Sequence, residues 1–332
     1  MLREYWDTMK QNQFETTYTD QWQSFEQMLE SLENRKQNSM LQEFPVQYRI
    51  ICQHLSLARK RRYGQQLIDY LGSLSQRGHQ QLYSTDNRAL DHIAAYLLRD
   101  FPALVRKEWR FVTLSSLLFF IPFIAMIFVI LQYPHVAYMI VTPEQTAEYE
   151  AMYNPAAERF GKDSDIDSEV MMWGLYIMNN VGISFRCFAG GILAGVGSIF
   201  FMLFNGIFIG AVAGHITAVG YIEPFWSFVI GHGSLEITGI LLSGAAGLRL
   251  GHGIISPGNH TRMESLKNSA KDGLRLLYGA SFMIFLASFI EAFWSSQTQV
   301  PASTKYTVGA LLWLLVFLYF IFAGRGYGTR QA

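Results

Sequence analysis

Twenty consecutive residues from Val112 to Leu131, VTLSSLLFFIPFIAMIFVIL, carry no charge. As a helix rising 1.5 Å per residue this stretch covers the roughly 30 Å hydrocarbon core of a bilayer, and only helices or closed barrels satisfy their backbone polar groups there. The chain is therefore expected to be an all-α, polytopic membrane bundle. The residues before Val112 are polar and helix-rich, and those after Leu131 alternate apolar blocks with short polar loops. The first residues, MLREYWDTMKQNQFE, hold no apolar run that would serve as a signal-peptide core, so the first span is expected to act as an uncleaved anchor.

The expected layout is a cytoplasmic helical domain over 1–110, ending in an interfacial stretch, then a transmembrane bundle over 111–326 and a cytoplasmic tail over 327–332. In the first part, Trp22, Phe25, Met28, Leu29 and Leu32 form one apolar stripe at helical spacing. A second helix from about Pro45 carries Ile50, Ile51, Leu55 and Leu57, and Gly72 to His79 read as a break before a third helix from about Asp86 to Arg110. The basic run Arg59, Lys60, Arg61, Arg62 reads as a solvated face or a contact with anionic lipid, since 26 basic and 26 acidic side chains give no charge excess for nucleic acid. FPALVRKEWRF mixes aromatics with Arg and Lys, which suits the membrane–water interface. Cys52 and Cys187 fall in different environments, so no disulfide is expected.

Six spans are expected. After Val112–Leu131 comes an outer acidic loop over 132–173, with Glu144, Glu148, Glu150, Glu158, Asp163, Asp165, Asp167 and Glu169 against Arg159 and Lys162. The block from Gly174 to Gly220 is too long for one span and is divided at Asn205-Gly206, which leaves a short third span. The remaining spans are Phe225–Leu250, Leu274–Ile290 and Tyr306–Ala323. Lys and Arg cluster before span one, between spans four and five, and after span six, which puts both termini in the cytoplasm.

Two patterns stand out inside the apolar part. Gly206, Gly210 and Gly214, and then Gly239, Ser243, Gly247 and Gly251, repeat every four residues and are expected to let helices approach closely. Arg186, Asn205, His215, His232, Glu236 and Glu291 are polar or ionisable groups where each charge costs about 2.5–3.5 kcal/mol at a span centre. The plain reading is a satisfied polar lock between helices, with His232 and Glu236 one turn apart on an inward face; the other is a proton or ion relay, or a polar substrate cavity. No ligand spacing such as HExxH makes His215, His232 and Glu236 a metal site, and no cofactor is expected. Ser234 in GHGSLE lacks the glycine that a GxSxG elbow requires, and no nucleotide-binding loop is present.

The segments GILAGVGSIFFMLFNGIFIGAVAGH, FWSFVIGHGSLEITGILLSGAAGLRLG, SPGNHTRMESL, IEAFWSS and KYTVGALLW resemble the stage II sporulation protein M family from Phe188 to about Gly326, and FPALVRKEWRF resembles its longer, non-sporulation branch. At Gly231 the chain reads Gly-His-Gly where the family has Pro-His-Gly. The resemblance implies an α-helical bacterial inner-membrane protein. In spore formers, members of the family help anchor and localise a peptidoglycan-degrading machine of a lytic transglycosylase and an amidase; longer members tend to be encoded near MoxR-type ATPases. The function expected is a non-enzymatic scaffold that contacts membrane lipids and recruits membrane or envelope proteins, with a MoxR-type ATPase among the candidate partners and a homo-oligomer as its assembly. The rivals are a transporter or channel with a polar path lined by spans two to four and, more distantly, an intramembrane hydrolase.

Overall fold

The computed structural model describes residues 9–33, 43–83, 85–157, 160, 161 and 169–325, with side chains described for all of these except 83–89. Every element among them is helical. The chain divides into two compact units, Met1–Ala94 and Ala95–Ala332. Of the loop acids and bases named above, Glu158, Arg159, Lys162, Asp163, Asp165 and Asp167 lie outside the described residues, as does the tail after Arg325.

In the first unit α1 (Gln11–Glu33), α2 (Phe44–Lys60) and α3 (Gln65–Tyr83) close around one core. The α1 stripe of Trp22, Phe25, Met28, Leu29 and Leu32 is buried against Phe44, Ile51 and Leu55 of α2 and Leu67, Leu71 and Leu74 of α3. That packing removes the stripe as a surface for a second copy. The expected break at Gly72 to His79 is instead the middle of α3, because Leu67, Leu71 and Leu74 keep a helical stripe through it. Gly78 stays compatible with the helix and leaves room for Tyr48, whose ring would meet any Cβ there. A further helix, α4 (Thr85–Ala95), leads out of this unit.

The second unit begins with a π-helical turn at Tyr96–Asp100 and a short helix, α5 (Phe101–Lys107). The bundle proper consists of α6 (Trp109–Gln132), α8 (Glu169–Ala189), α9 (Val196–Val219), α10 (Ile222–Ile255), α11 (Arg262–Ile290) and α12 (Ala302–Phe322), with α7 (Pro143–Met152) in the connection after α6. Capping boxes start two of these: Thr142 with Gln145 at α7 and Thr261 with Glu264 at α11. Among the described residues, five helices are long and apolar enough to cross a membrane: α6, α9, α10, α11 with its continuation to Ser295, and α12.

Helix α8 is not among those five, yet the packing assigns it a crossing. Gly206 approaches Phe119 and Pro122, Gly210 approaches Phe123 and Met126, and Gly214 approaches Ile127 and Ile130, so α6 and α9 run parallel. Two parallel crossings require a return between them, and among the described residues α8 alone is long enough to supply it. Its 21 residues reach about 31 Å, enough for the hydrocarbon core. Trp173 packs beside Phe285 and Phe289 while Phe188 lies against Gly273, which makes α8 antiparallel to α11. Six crossings result.

The boundary between the second and third crossings differs from the sequence expectation. It lies at the 3-10 turn Gly190–Ile192 and at Ala194 and Gly195, whose φ values of 52° and 84° are left-handed. Asn205-Gly206 sits within α9, where Asn205 Nδ2 donates to the Phe201 carbonyl at 2.7 Å and Gly206 faces the α6 backbone. An Asn-Gly pair signals a turn when solvent can reach it. Here apolar neighbours on both sides continue the helix, so the third crossing is 24 residues long and not a short segment.

The two small-residue rows have different partners. Gly206, Gly210 and Gly214 all face α6. On α10, Gly239 faces Ala280 and Ile284 of α11, whereas Gly247 meets Cys187, Phe188 and Ser198, and Gly251 meets Ala194 and Gly195. A row stepping by four residues turns about 40° per step on a 3.6-residue helix, so three steps carry it from one neighbour to the next. Ser243, between them, is buried and donates to the Gly239 carbonyl of its own helix at 2.9 Å.

Candidate functional site

One end of the bundle brings together the first half of α10, the end of α11 and the middle of α8. After Ile290, α11 loosens into a π-helical turn, Glu291–Ser295, which aims Glu291 and Ser295 inward. Single π turns of this kind recur at functional sites because they re-aim side chains that a regular helix would place elsewhere. Gly231 allows this approach, since a Cβ there would touch the Trp294 ring at 3.0 Å.

His232, Glu236 and Glu291 form the centre. One potential ligand atom from each lies within 4.8 Å of the others. His232 Nε2 stands 3.8 Å from Glu236 Oε2, while His232 Nδ1 stands 3.1 Å from the Ser295 hydroxyl. Asn180 of α8 lies beside Glu291, and its amide oxygen accepts from Asn179 Nδ2 at 2.8 Å. Glu291 is 8% exposed, and its Oε2 atom is fully buried without a hydrogen-bond partner. Lys305 of α12, only 1% exposed, donates from Nζ to the Ser295 carbonyl at 2.7 Å and lies 5.3 Å from the Phe160 ring centre, so it fastens the π turn.

An aromatic layer covers the cluster. Phe228 meets His232 edge-on at 5.0 Å, and Tyr153, from the connection after α7, meets Phe225 and Phe228 at 5.0 and 5.6 Å. Burial first, and then the negative charge of Glu291, push the Tyr153 phenol well above its ordinary range, so it stays protonated.

The other polar positions singled out in the sequence lie elsewhere. His215 pairs with Glu150 of α7 at 2.7 Å and meets Tyr138 edge-on at 5.7 Å, which fastens the α7 segment to α9. Asn205 is buried near Cys187, with Nδ2 3.9 Å from the sulfur. Arg186 is exposed, and its Nε donates to the Gly182 carbonyl of its own helix at 3.2 Å. Ser234 donates to the Gly231 carbonyl at 2.8 Å. His232 therefore takes Ser295 as its hydroxyl partner.

Asn180, Ser295, Tyr153 and Lys305 were not anticipated as members of the cluster. The adjacent amides Asn179 and Asn180 in an otherwise apolar helix are the signal that could have found one of them. At the opposite end of the bundle a second polar group was also missed: Glu108, 6% exposed, holds Arg249 Nε at 3.3 Å, Arg249 donates to Ser269 at 2.7 Å, and Lys107 pairs with Asp272 at 2.7 Å.

Fold and site together define a multi-pass helical membrane protein with a carboxylate–histidine cluster set into one end of its bundle. The profile of the Stage II sporulation protein M family matches residues 116–296, more than half of the chain, and the chain belongs to that family. A domain of unknown function, DUF8413, matches residues 12–84, the α1 to α3 unit. The chain is also similar to an uncharacterized protein of Methanocaldococcus jannaschii, 27% identical over 121 residues that cover 35% of this chain and 67% of that protein. No solved structure matches it.

Proposed function

We propose that this protein is a scaffold of the cytoplasmic membrane that recruits partners for cell-envelope or peptidoglycan remodelling. The observation that supports this reading is the pairing of a helical unit that closes its own core with a membrane bundle held by backbone-to-backbone glycine contacts. Such a bundle is a rigid anchor, because helices touching through glycine have little room to slide. The helical unit then presents a surface to a cytoplasmic partner, with a MoxR-type ATPase as the candidate that the family resemblance suggests, and the α7 end faces the envelope. Basic residues support this orientation, since Arg106, Lys107 and Arg110 flank the start of α6 and Arg262, Lys267 and Lys271 lie at the start of α11.

The test is affinity purification of the full chain from native membranes beside a version lacking residues 1–94. Partners held by the full chain and lost from the shortened one support recruitment through the helical unit; identical partner sets contradict it. The second reading, a transporter, draws on the buried His232, Glu236 and Glu291 cluster, since ionisable groups inside a bundle often mark a path. Proteoliposome flux of protons or metal ions that is lost in Glu291→Gln would replace the scaffold reading.

A further inference from the structure

We propose that His232, Glu236 and Glu291 form a binding site for one divalent transition-metal ion of the Zn2+ class, which ties α10 to the π turn of α11. Three features of the cluster lead there. The donors have the right chemistry: one imidazole and two carboxylates suit Zn2+ and its first-row neighbours, and the two carboxylates offset its 2+ charge where charge is costly.

The spacing is also right. Tetrahedral coordination at about 2.05 Å sets donors about 3.3 Å apart, close to the 3.8 Å pair inside this 4.8 Å cluster. His232 and Glu236 supply an i, i+4 pair from one helix face, and the π turn supplies the third donor from another helix.

The third feature is independent of the acidic character of the site. Glu291 Oε2 is buried with no hydrogen-bond partner. A carboxylate oxygen left bare in this way costs free energy unless something binds it. The surroundings match what a ligand set requires: the Ser295 hydroxyl meets the far nitrogen of His232 at 3.1 Å, as outer partners of metal ligands do. Glu236 keeps 19% of its side chain exposed, so the cluster is not sealed on that side. His215, the histidine that sequence spacing offered, is instead held by Glu150.

The experiment uses the full chain in mild detergent, with its tag removed and Cys52→Ser and Cys187→Ser introduced, so that no thiol contributes. After chelator treatment and desalting, Zn2+ is titrated at pH 7.5 and bound metal is counted by mass spectrometry. We expect one Zn2+ per chain at micromolar affinity or tighter and a higher melting temperature on loading. Glu291→Gln should weaken binding at least tenfold, and Ser295→Ala by about 10–100-fold through loss of His232 positioning. Glu291→His, which replaces one ligand by another, should retain binding, and His215→Gln should bind as the parent does. Absence of stoichiometric Zn2+ from the parent protein overturns the proposal, as does unchanged binding in folded Glu291→Gln.

Discussion

Glu236 shows how far one side chain's role depends on its neighbours. Its carboxylate stands 3.8 Å from His232 and is only partly exposed, so removing its polarity strands groups placed to meet it. In metal-free protein, Glu236→Gln is expected to melt close to the parent, whereas Glu236→Leu should lose about 1–3 kcal/mol, because a buried polar group without its partner costs that much. Parallel thermal melts in detergent check this, and equal melting of both variants would contradict a buried polar contact. His54 gives a residue-scale prediction outside the membrane. It is 5% exposed and accepts the Trp22 indole N–H at Nδ1 over 3.0 Å, and burial lowers its pKa to about 4. The unfolded chain, with an ordinary histidine value near 6.5, binds more protons between pH 4 and 6.5. The stability from this neutral histidine is complete above about pH 6.5 and falls as pH drops toward 4. Hydrogen-exchange protection of α1 to α3 at pH 7 and pH 5, corrected for intrinsic exchange, should show the loss, and His54→Gln should reduce it.

Among elements, the α8–α9 hairpin and α10 meet backbone to backbone. A Cβ on Gly191 would overlap the Gly247 carbonyl group, and one on Gly251 would overlap the Gly195 backbone, neither of which can move aside as a flexible side chain can. Gly191→Ala and Gly251→Ala are each expected to cost at least about 2 kcal/mol through this overpacking. Gly174, on α8 with open space around its Cα, is the control: Gly174→Ala should be neutral or stabilise by about 0.5–1 kcal/mol through helix propensity. Melting midpoints of the three variants separate the cases. Equal tolerance at all three positions would show that the helices do not approach as described. The repeat of small residues in the sequence announced close packing but not its partners, since every glycine row looks alike until a neighbour fills it.

For the whole molecule the central prediction is topology. Single cysteines at Asn154, Asn268 and Ser303, on a background without Cys52 and Cys187, should react with a membrane-impermeant reagent from outside at Asn154 and Ser303 only. This rests on six crossings with α8 as the second, together with basic residues on the cytoplasmic side. Labelling of Asn268 from outside would reverse the orientation. A reporter fused after Gln145 and another after Ala194 should lie on opposite sides, because α8 separates them; the same side for both would remove the α8 crossing.

Local pattern along the chain established the class of the molecule. The uncharged run Val112–Leu131 requires a membrane helix, the stripe from Trp22 to Leu32 requires a covered helix in the polar part, and the motifs from Phe188 onward carry the family resemblance. Length, hydropathy and spacing are properties of neighbours in sequence, so they are legible without any packing. Packing supplied the rest. It moved the hairpin from Asn205-Gly206 to Gly190–Gly195, set the bounds of the expected second span as α8 between the parallel α6 and α9, and sorted six polar positions into one cluster and three separate sites. Glu291 lies 55 residues from Glu236 in the chain, and only the antiparallel packing of α10 against α11, with a π turn to re-aim the side chain, brings the two carboxylates together.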